Sequence, residues 1–203
     1  MTRPTCHLVV FVRAPRFGQV KSRLAAGLGS LGALRFHRES TRLLLRRVAA
    51  DRRWRLYLGV TPSADRHGRF WSLAFRRLDQ GNGDLGRRMA HMFHTLPPGP
   101  AVIVGSDIPE ITASHIAAAF RALGRHDAVF GPARDGGYWL VGLKRRPHLP
   151  VPLFANVRWS SPHALADTMA GLPPRWSAAF LETLDDIDDA EGYWRWRERV
   201  SRR

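Results

Sequence analysis

An α/β fold built on a Rossmann-like, mostly parallel sheet flanked by helices follows from three features of this chain. Short apolar runs alternate with segments of helical periodicity from one end to the other, the pattern of repeated β–α units. One of the runs, Ala101-Val102-Ile103-Val104, is unbroken and mostly β-branched, as a strand buried on both faces must be. It stops abruptly in Gly105-Ser106-Asp107, and Pro109 prevents its continuation as a central strand. The carboxyl end of a strand is where open α/β sheets bind ligands. Asp107 is therefore either a cap for the turn that follows or an oxygen ligand for a hard cation such as Mg²⁺, which would in turn hold phosphates.

The first strand is the apolar run Leu8 to Val12. It leads into Arg13-Ala14-Pro15-Arg16-Phe17-Gly18-Gln19-Val20-Lys21-Ser22-Arg23, a turn-rich loop in which proline and glycine allow close backbone approach to a ligand. Arg13, Lys21 and Arg23 of this loop can converge on a polyphosphate, although the spacing is not that of a Walker-type phosphate loop. From about Leu31 to Ala50, Leu34, Thr41, Leu44, Leu45 and Val48 recur at helical spacing. Trp54, Leu56, Leu58 and Val60 then alternate with Arg55, Tyr57 and Gly59 and predict a second strand. Phe70 to Leu78 holds either a short strand or a helical turn.

A glycine-rich loop, Gln80-Gly81-Asn82-Gly83-Asp84, precedes a helix whose apolar face is Leu85, Met89, Met92, Phe93 and Leu96. Asp84 is placed to cap that helix, and the Gln80 amide is either solvated or available to a nucleobase edge. After the central strand, Ile116, Ala119, Phe120 and Leu123 mark another helix, and Ala128 to Gly131 another strand. Asp135-Gly136-Gly137 then combines the commonest hairpin signal with a backbone bare enough for a sugar or diphosphate to approach. Tyr138 to Leu143 is the returning strand. Ser161 and Pro162 read as the cap and first residue of a further helix. Near the end, Glu182, Asp185, Asp186, Asp188, Asp189 and Glu191 form either a solvated helix start or a face turned to the cation, with Asp188 the residue to reach it. Tyr193, Trp194 and Trp196 follow, and are expected to dock on the core.

Nothing divides the 203 residues by repeat, linker or composition shift, so residues 1–203 are read as one domain. The single cysteine, Cys6, excludes an internal disulfide framework and a cysteine metal cluster. No apolar run approaches the roughly 20 residues of a membrane span, and with no secretory leader at the start the expected location is cytoplasmic. A net charge of +15 suggests affinity for phosphates. The arginines are spread along the chain without a nucleic-acid-binding motif, however, so no specific nucleic acid is expected as a partner. Only Lys21 and Lys144 among the 32 basic residues are lysine, and a retained lysine suits a site that wants a compact, mobile point charge.

Taken together the motifs resemble those of the bacterial GT-A-type nucleotide-diphospho-sugar transferases associated with arsenosugar biosynthesis and radical-SAM enzymes. The resemblance is carried by Ala14, Pro15, Gly18, Val20, Lys21, Arg23 and Leu24; by Gln80, Gly83, Asp84, Leu85, Gly86, Arg88 and Met89; by Gly105, Ser106, Asp107 and Pro109; and by Gly131 to Ala133 with Asp135 to Tyr138. Trp159-Ser160 and Asp186-Ile187-Asp188 match its last elements. It implies a GT-A fold and a metal-dependent glycosyltransferase that moves a sugar from a nucleotide-diphospho-sugar to a small acceptor. By the same resemblance, Arg13, Lys21, Arg23, Gln80, Asp84, Gly105, Ser106, Gly136, Gly137 and Tyr138 bind the donor. Asp107 and Asp135 act at the reacting centre, and Mg²⁺ or Mn²⁺ is held by Asp107, completed by Asp135 or Asp188. Two alternatives stand beside it: a nucleotidyltransferase that releases pyrophosphate, and a charge-driven nucleic-acid binder. The base, sugar, acceptor and oligomeric state are left open by the sequence.

Overall fold

Seven strands make one sheet in the computed structural model, which describes residues 4–145, 149 and 152–201. Along the chain the elements are β1 (Cys6–Arg13), α1 (Ser22–Ala49), β2 (Trp54–Thr61), β3 (Arg76–Asp79), α2 (Leu85–Thr95), β4 (Ala101–Gly105), α3 (Ala113–Leu123), β5 (Ala128–Pro132), β6 (Tyr138–Leu143), α4 (Ala164–Ala170), β7 (Ala178–Phe180) and α5 (Ala190–Ser201). Across the sheet the order is β3-β2-β1-β4-β6-β5-β7. Every neighbouring pair is parallel except those of β6, which runs antiparallel to both β4 and β5. This is the mixed, mostly parallel α/β sheet that the sequence predicts. The strand order reverses between β1 and β4, so a crevice opens beyond the carboxyl ends of those two strands.

Strand alternation sorts the apolar residues onto two faces. Leu8, Val10 and Val12 of β1 join Leu58, Val60, Val102 and Val104 beneath Leu44 and Val48 of α1 and Ile116, Ala119 and Leu123 of α3. Val9, Ala101 and Ile103 point the other way, against Met89, Met92 and Phe93 of α2, with Leu165 and Met169 of α4 at the margin. A third cluster links the two ends of the described chain: Leu24, Ala33 and Phe36 of α1 pack with Ile187 and with Tyr193 and Trp196 of α5. Phe36 meets Tyr193 and Trp196 edge-on, so these two aromatics dock as expected, whereas Trp194 is exposed.

Element boundaries differ from the sequence reading in three places, each with a local cause. Helix α1 starts at Ser22, well before its periodicity is visible, because Gly29 (φ 71°, ψ 160°) breaks the helical geometry and shifts the phase of the first part. The helix expected at Ser161-Pro162 begins instead at Ala164; Ser161 Oγ accepts from the His163 amide in a turn ahead of it. Strand β7, only three residues long, was not foreseen. The undecided stretch before Leu78 ends in the edge strand β3. Among the described residues no helix is long and apolar enough to cross a membrane.

Candidate functional site

The crevice between β1 and β4 is a cavity of about 490 Å³. Strand ends make its floor (Phe11, Val12, Ile103, Val104), and the segments leaving those strands make its walls, including Arg13, Lys21, Arg23, Gly105, Ser106 and Asp107. The abrupt end of the β4 apolar run is thus what puts a carboxylate at the mouth of the sheet. Helix α1 fixes that carboxylate from below. Ser40 Oγ donates to the Ser106 carbonyl at 2.8 Å, and Ser106 Oγ lies 3.5 Å from Asp107 Oδ1. Buried His37 donates through Nε2 to the Arg13 carbonyl at 2.9 Å, since a carbonyl can only accept. Its Nδ1 is left facing Asp107 Oδ1 at 3.9 Å.

Lys21 is an expected member of the site with unexpected partners. It stands just before α1 in the left-handed region (φ 51°, ψ 55°), which costs a non-glycine residue about 1 kcal/mol. Its side chain is only 6% exposed. The Nζ donates to Asp188 Oδ1 at 2.6 Å and to the Ile187 carbonyl at 2.9 Å, and lies 3.1 Å from Asp107 Oδ2. Three donors meet three oxygens. Burial pulls the ammonium towards neutrality, but Asp107 and Asp188 outweigh it and hold its pKa above the ordinary lysine value.

The acidic segment before α5 does face the site. Burial works against the charge of Asp188, but Lys21, Asp186 and Arg23 prevail and keep its pKa below the ordinary carboxylate value. Asp186 goes the other way: burial, then the charges of Asp188 and Asp135, push it up to about 6. The backbone ties this segment to the β4 end, with the Ile187 amide 3.5 Å from the Asp107 carbonyl.

Arginines also line the cavity. Arg88 of α2 is half-buried, and burial and then Arg13 lower its pKa. An anion between these two guanidinium groups would relieve both effects. Gln80 lines the cavity and also holds Arg88 in place. Gln80 is 2% exposed; its Nε2 donates to the Gly59 carbonyl at 2.7 Å and to the Val12 carbonyl at 3.3 Å, and its Oε1 accepts from Arg88 at 2.9 Å. Both amide donors are therefore spent inside the protein.

Asp84, Asp135, Gly136 and Gly137, also expected at the site, lie apart from the cavity lining. Asp84 caps α2, accepting from the Arg87 amide at 2.8 Å. Asp135 accepts from the Gly137 amide at 2.9 Å in the β5–β6 turn, and it reaches the site through its charge on Asp186. Gly136 (φ 84°) is required by the turn and by the backbone of Pro162, which passes where a Cβ would stand. Tyr138 does line the cavity; burial raises its hydroxyl pKa against a weak opposing bond to Thr168. His37, Arg88 and Asp186 are site residues that the sequence reading does not single out as such. For His37 the signal is a polar residue on the buried stripe of α1, between Ala33, Phe36 and Leu44.

Whether a divalent cation suits this place can be judged from its oxygens. Asp107, Asp188 and the Ile187 carbonyl already converge on one positive point, and all three are hard ligands. Among the described residues no group of three or more His, Cys, Asp or Glu forms a metal cage. Two carboxylates with phosphate and water completing the shell is the usual protein environment of Mg²⁺. The residues fit.

Solved structures share the fold. A candidate nucleotide-diphospho-sugar transferase from Desulfovibrio desulfuricans superposes with a TM-score of 0.84 at 23% identity, covering 98% of this chain and 96% of that one. The 4-diphosphocytidyl-2C-methyl-D-erythritol synthase of Anaerococcus prevotii gives 0.64 at 10% identity, covering 98% and 96%. A Mycobacterium tuberculosis protein in complex with manganese gives 0.56 at 15% identity, covering 97% and 100%. No curated protein matches the sequence. Residues 44–161, more than half of the chain and with them the β4 end and the β5–β6 turn, match the family described as "Uncharacterized protein conserved in bacteria (DUF2064)", and the chain belongs to that family.

Proposed function

We propose that this protein is a metal-dependent transferase that takes a sugar from a nucleotide-diphospho-sugar and passes it to a small acceptor. The observation that carries this reading is the convergence of Asp107 and Asp188 on one point of a cavity that Arg13, Arg23 and Arg88 also line. Such a site separates two tasks. The carboxylates would hold Mg²⁺ or Mn²⁺, and the arginines would bind the donor's diphosphate, with Gly105 and Ser106 leaving room for it beside the β4 end. When bound, the cation supplies neutralisation of the charge that grows on the departing nucleoside diphosphate. An acceptor hydroxyl attacks the anomeric carbon, the bond from that carbon to the diphosphate oxygen breaks, and the hydroxyl proton is released. Asp135 and Tyr138 stand at the β6 side of the site, where the sugar would lie.

The fold shared with a cytidylyl-transferring synthase favours a second reading, in which an acceptor phosphate attacks the α-phosphate of a nucleoside triphosphate and pyrophosphate leaves. A melting-temperature panel of nucleotides and sugar nucleotides, with and without Mn²⁺, identifies the donor. Nucleoside-diphosphate release from a sugar nucleotide then supports the first reading and pyrophosphate release from a triphosphate the second. Asp107→Ala is expected to lower turnover at least 100-fold while folding normally; a fully active Asp107→Ala protein refutes the metal assignment. Tight, steeply salt-dependent retention of RNA or DNA, with no metal-dependent effect of any nucleotide, would instead mark a charge-driven nucleic-acid binder.

A further inference from the structure

We infer that Lys21 occupies, in the metal-free protein, the place that the divalent cation takes in the loaded one, so that the entering cation frees Lys21 from the carboxylates and leaves it to the phosphates of the donor. The inference rests on the metal reading proposed above and goes beyond it in assigning the exchange.

The Nζ of Lys21 touches Asp107 Oδ2, Asp188 Oδ1 and the Ile187 carbonyl, the same oxygens a small hard cation would use. An ammonium has three donors, and these contacts consume all of them, so in this state Lys21 has nothing left for a phosphate. Conversely, a dication on Asp107 and Asp188 would stand beside the ammonium and drive it off by like-charge repulsion. The two states therefore exclude each other. Lysine is the residue type that can make the exchange: its charge is a compact point on a flexible stem, whereas a planar guanidinium would not stand in for a spherical ion. In a chain that uses arginine for all but two of its 32 basic residues, this position keeps lysine. A receiver for the ammonium also lies in the same cavity, because Arg13, Arg23 and Arg88 draw the diphosphate to the wall Lys21 already lines. Until the cation arrives, Lys21 keeps the two aspartates from repelling each other.

Having only two lysines makes the exchange directly readable. The protein is acetylated with an N-hydroxysuccinimide ester, and modification at Lys21 is compared with that at Lys144 by peptide mass spectrometry. In chelator-treated protein Lys21 is expected to react at least tenfold more slowly than Lys144. MgCl2 alone should raise the Lys21 rate at least tenfold and leave Lys144 unchanged, and MgCl2 with inorganic pyrophosphate should suppress it again. Calorimetric titration with Mn²⁺ provides the second arm. Lys21→Met should bind Mn²⁺ at least tenfold more tightly than the native protein, while Lys144→Met, which removes an equal charge away from the cavity lining, changes affinity less than threefold. Lys21 that is reactive without metal, or protected while calorimetry shows the cation bound, overturns the exchange and leaves the metal site standing. So does Lys21→Met binding no tighter than Lys144→Met. Absence of Mn²⁺ binding by both the native protein and Lys21→Met overturns the metal reading itself, and the exchange with it.

Discussion

Replacing Gln80 with leucine tests whether its amide serves the fold or a nucleobase. The side chain is buried and makes three hydrogen bonds: two from Nε2 to the carbonyls of Gly59 and Val12, and one accepted by Oε1 from Arg88. Each neutral bond contributes about 1 kcal/mol, and the one to the guanidinium about 1.5 to 3 kcal/mol. Leucine fills a similar volume but takes a donor from two buried carbonyls and an acceptor from a half-buried cation, so the loss is at least the lower sum of those bonds, about 3.5 kcal/mol. For a domain of this size each kcal/mol moves the melting temperature by about 2–4 °C. Thermal unfolding of Gln80→Leu followed by circular dichroism, without nucleotide, should therefore show a midpoint lower by at least about 7–14 °C. Gln80→Glu should fall less, because its carboxylate keeps Arg88 while facing the two carbonyls without a donor. If Gln80→Leu melts within about 2 °C of the native protein and loses only nucleotide binding, the assignment of this amide to the fold is wrong.

Two further perturbations address the loop beside the site and the far end of the sheet. Gly136→Ala puts a Cβ into the backbone of Pro162 at a residue with φ 84°; a loss of about 2 kcal/mol or more is expected, readable as a lower urea midpoint at unchanged slope. An unchanged midpoint would mean that the turn has room the packing does not show. His7 is buried at the start of β1, and burial, followed by Arg145 and Arg55, lowers its pKa against the pull of the Pro98 carbonyl. The native protein therefore binds this proton less readily than the unfolded chain. The resulting stability is present above the unfolded value of about 6.5 and is lost as pH falls through the native one. His7→Gln should show a shallower loss of unfolding free energy between pH 7.5 and 5 than the native protein; parallel curves would exclude His7 as a source of the acid dependence.

Much of the site was legible because local sequence determines it. The Ala101–Val104 run had to be buried, and what ended it had to lie at the mouth of the sheet, so Asp107 could be placed from nine residues of text. Asp84 as a helix cap and Asp135-Gly136-Gly137 as a turn follow from chemistry that acts over two or three positions. The partners of Lys21 do not, since Ile187 and Asp188 reach it only through the docking of the segment before α5. Gln80 misled for a related reason: a polar residue beside three glycines looks solvated, and only the parallel pairing of β2 with β3 carries it inward beneath Arg88. His37 was hidden by its setting, one polar position on an otherwise apolar helix stripe.

The bond between Lys21 and Asp188 joins residues far apart in sequence, and Phe36 is covered by aromatics that come still later. During synthesis the seven strands can assemble while this seam remains open, because the closing segment follows all of them. A polypeptide stopped after Phe180 would keep its ladder but lack one of the two carboxylates, and it would show bare apolar surface where Ile187, Tyr193 and Trp196 belong. The segment that leaves the ribosome after all seven strands is thus the one that closes the seam over the start of α1.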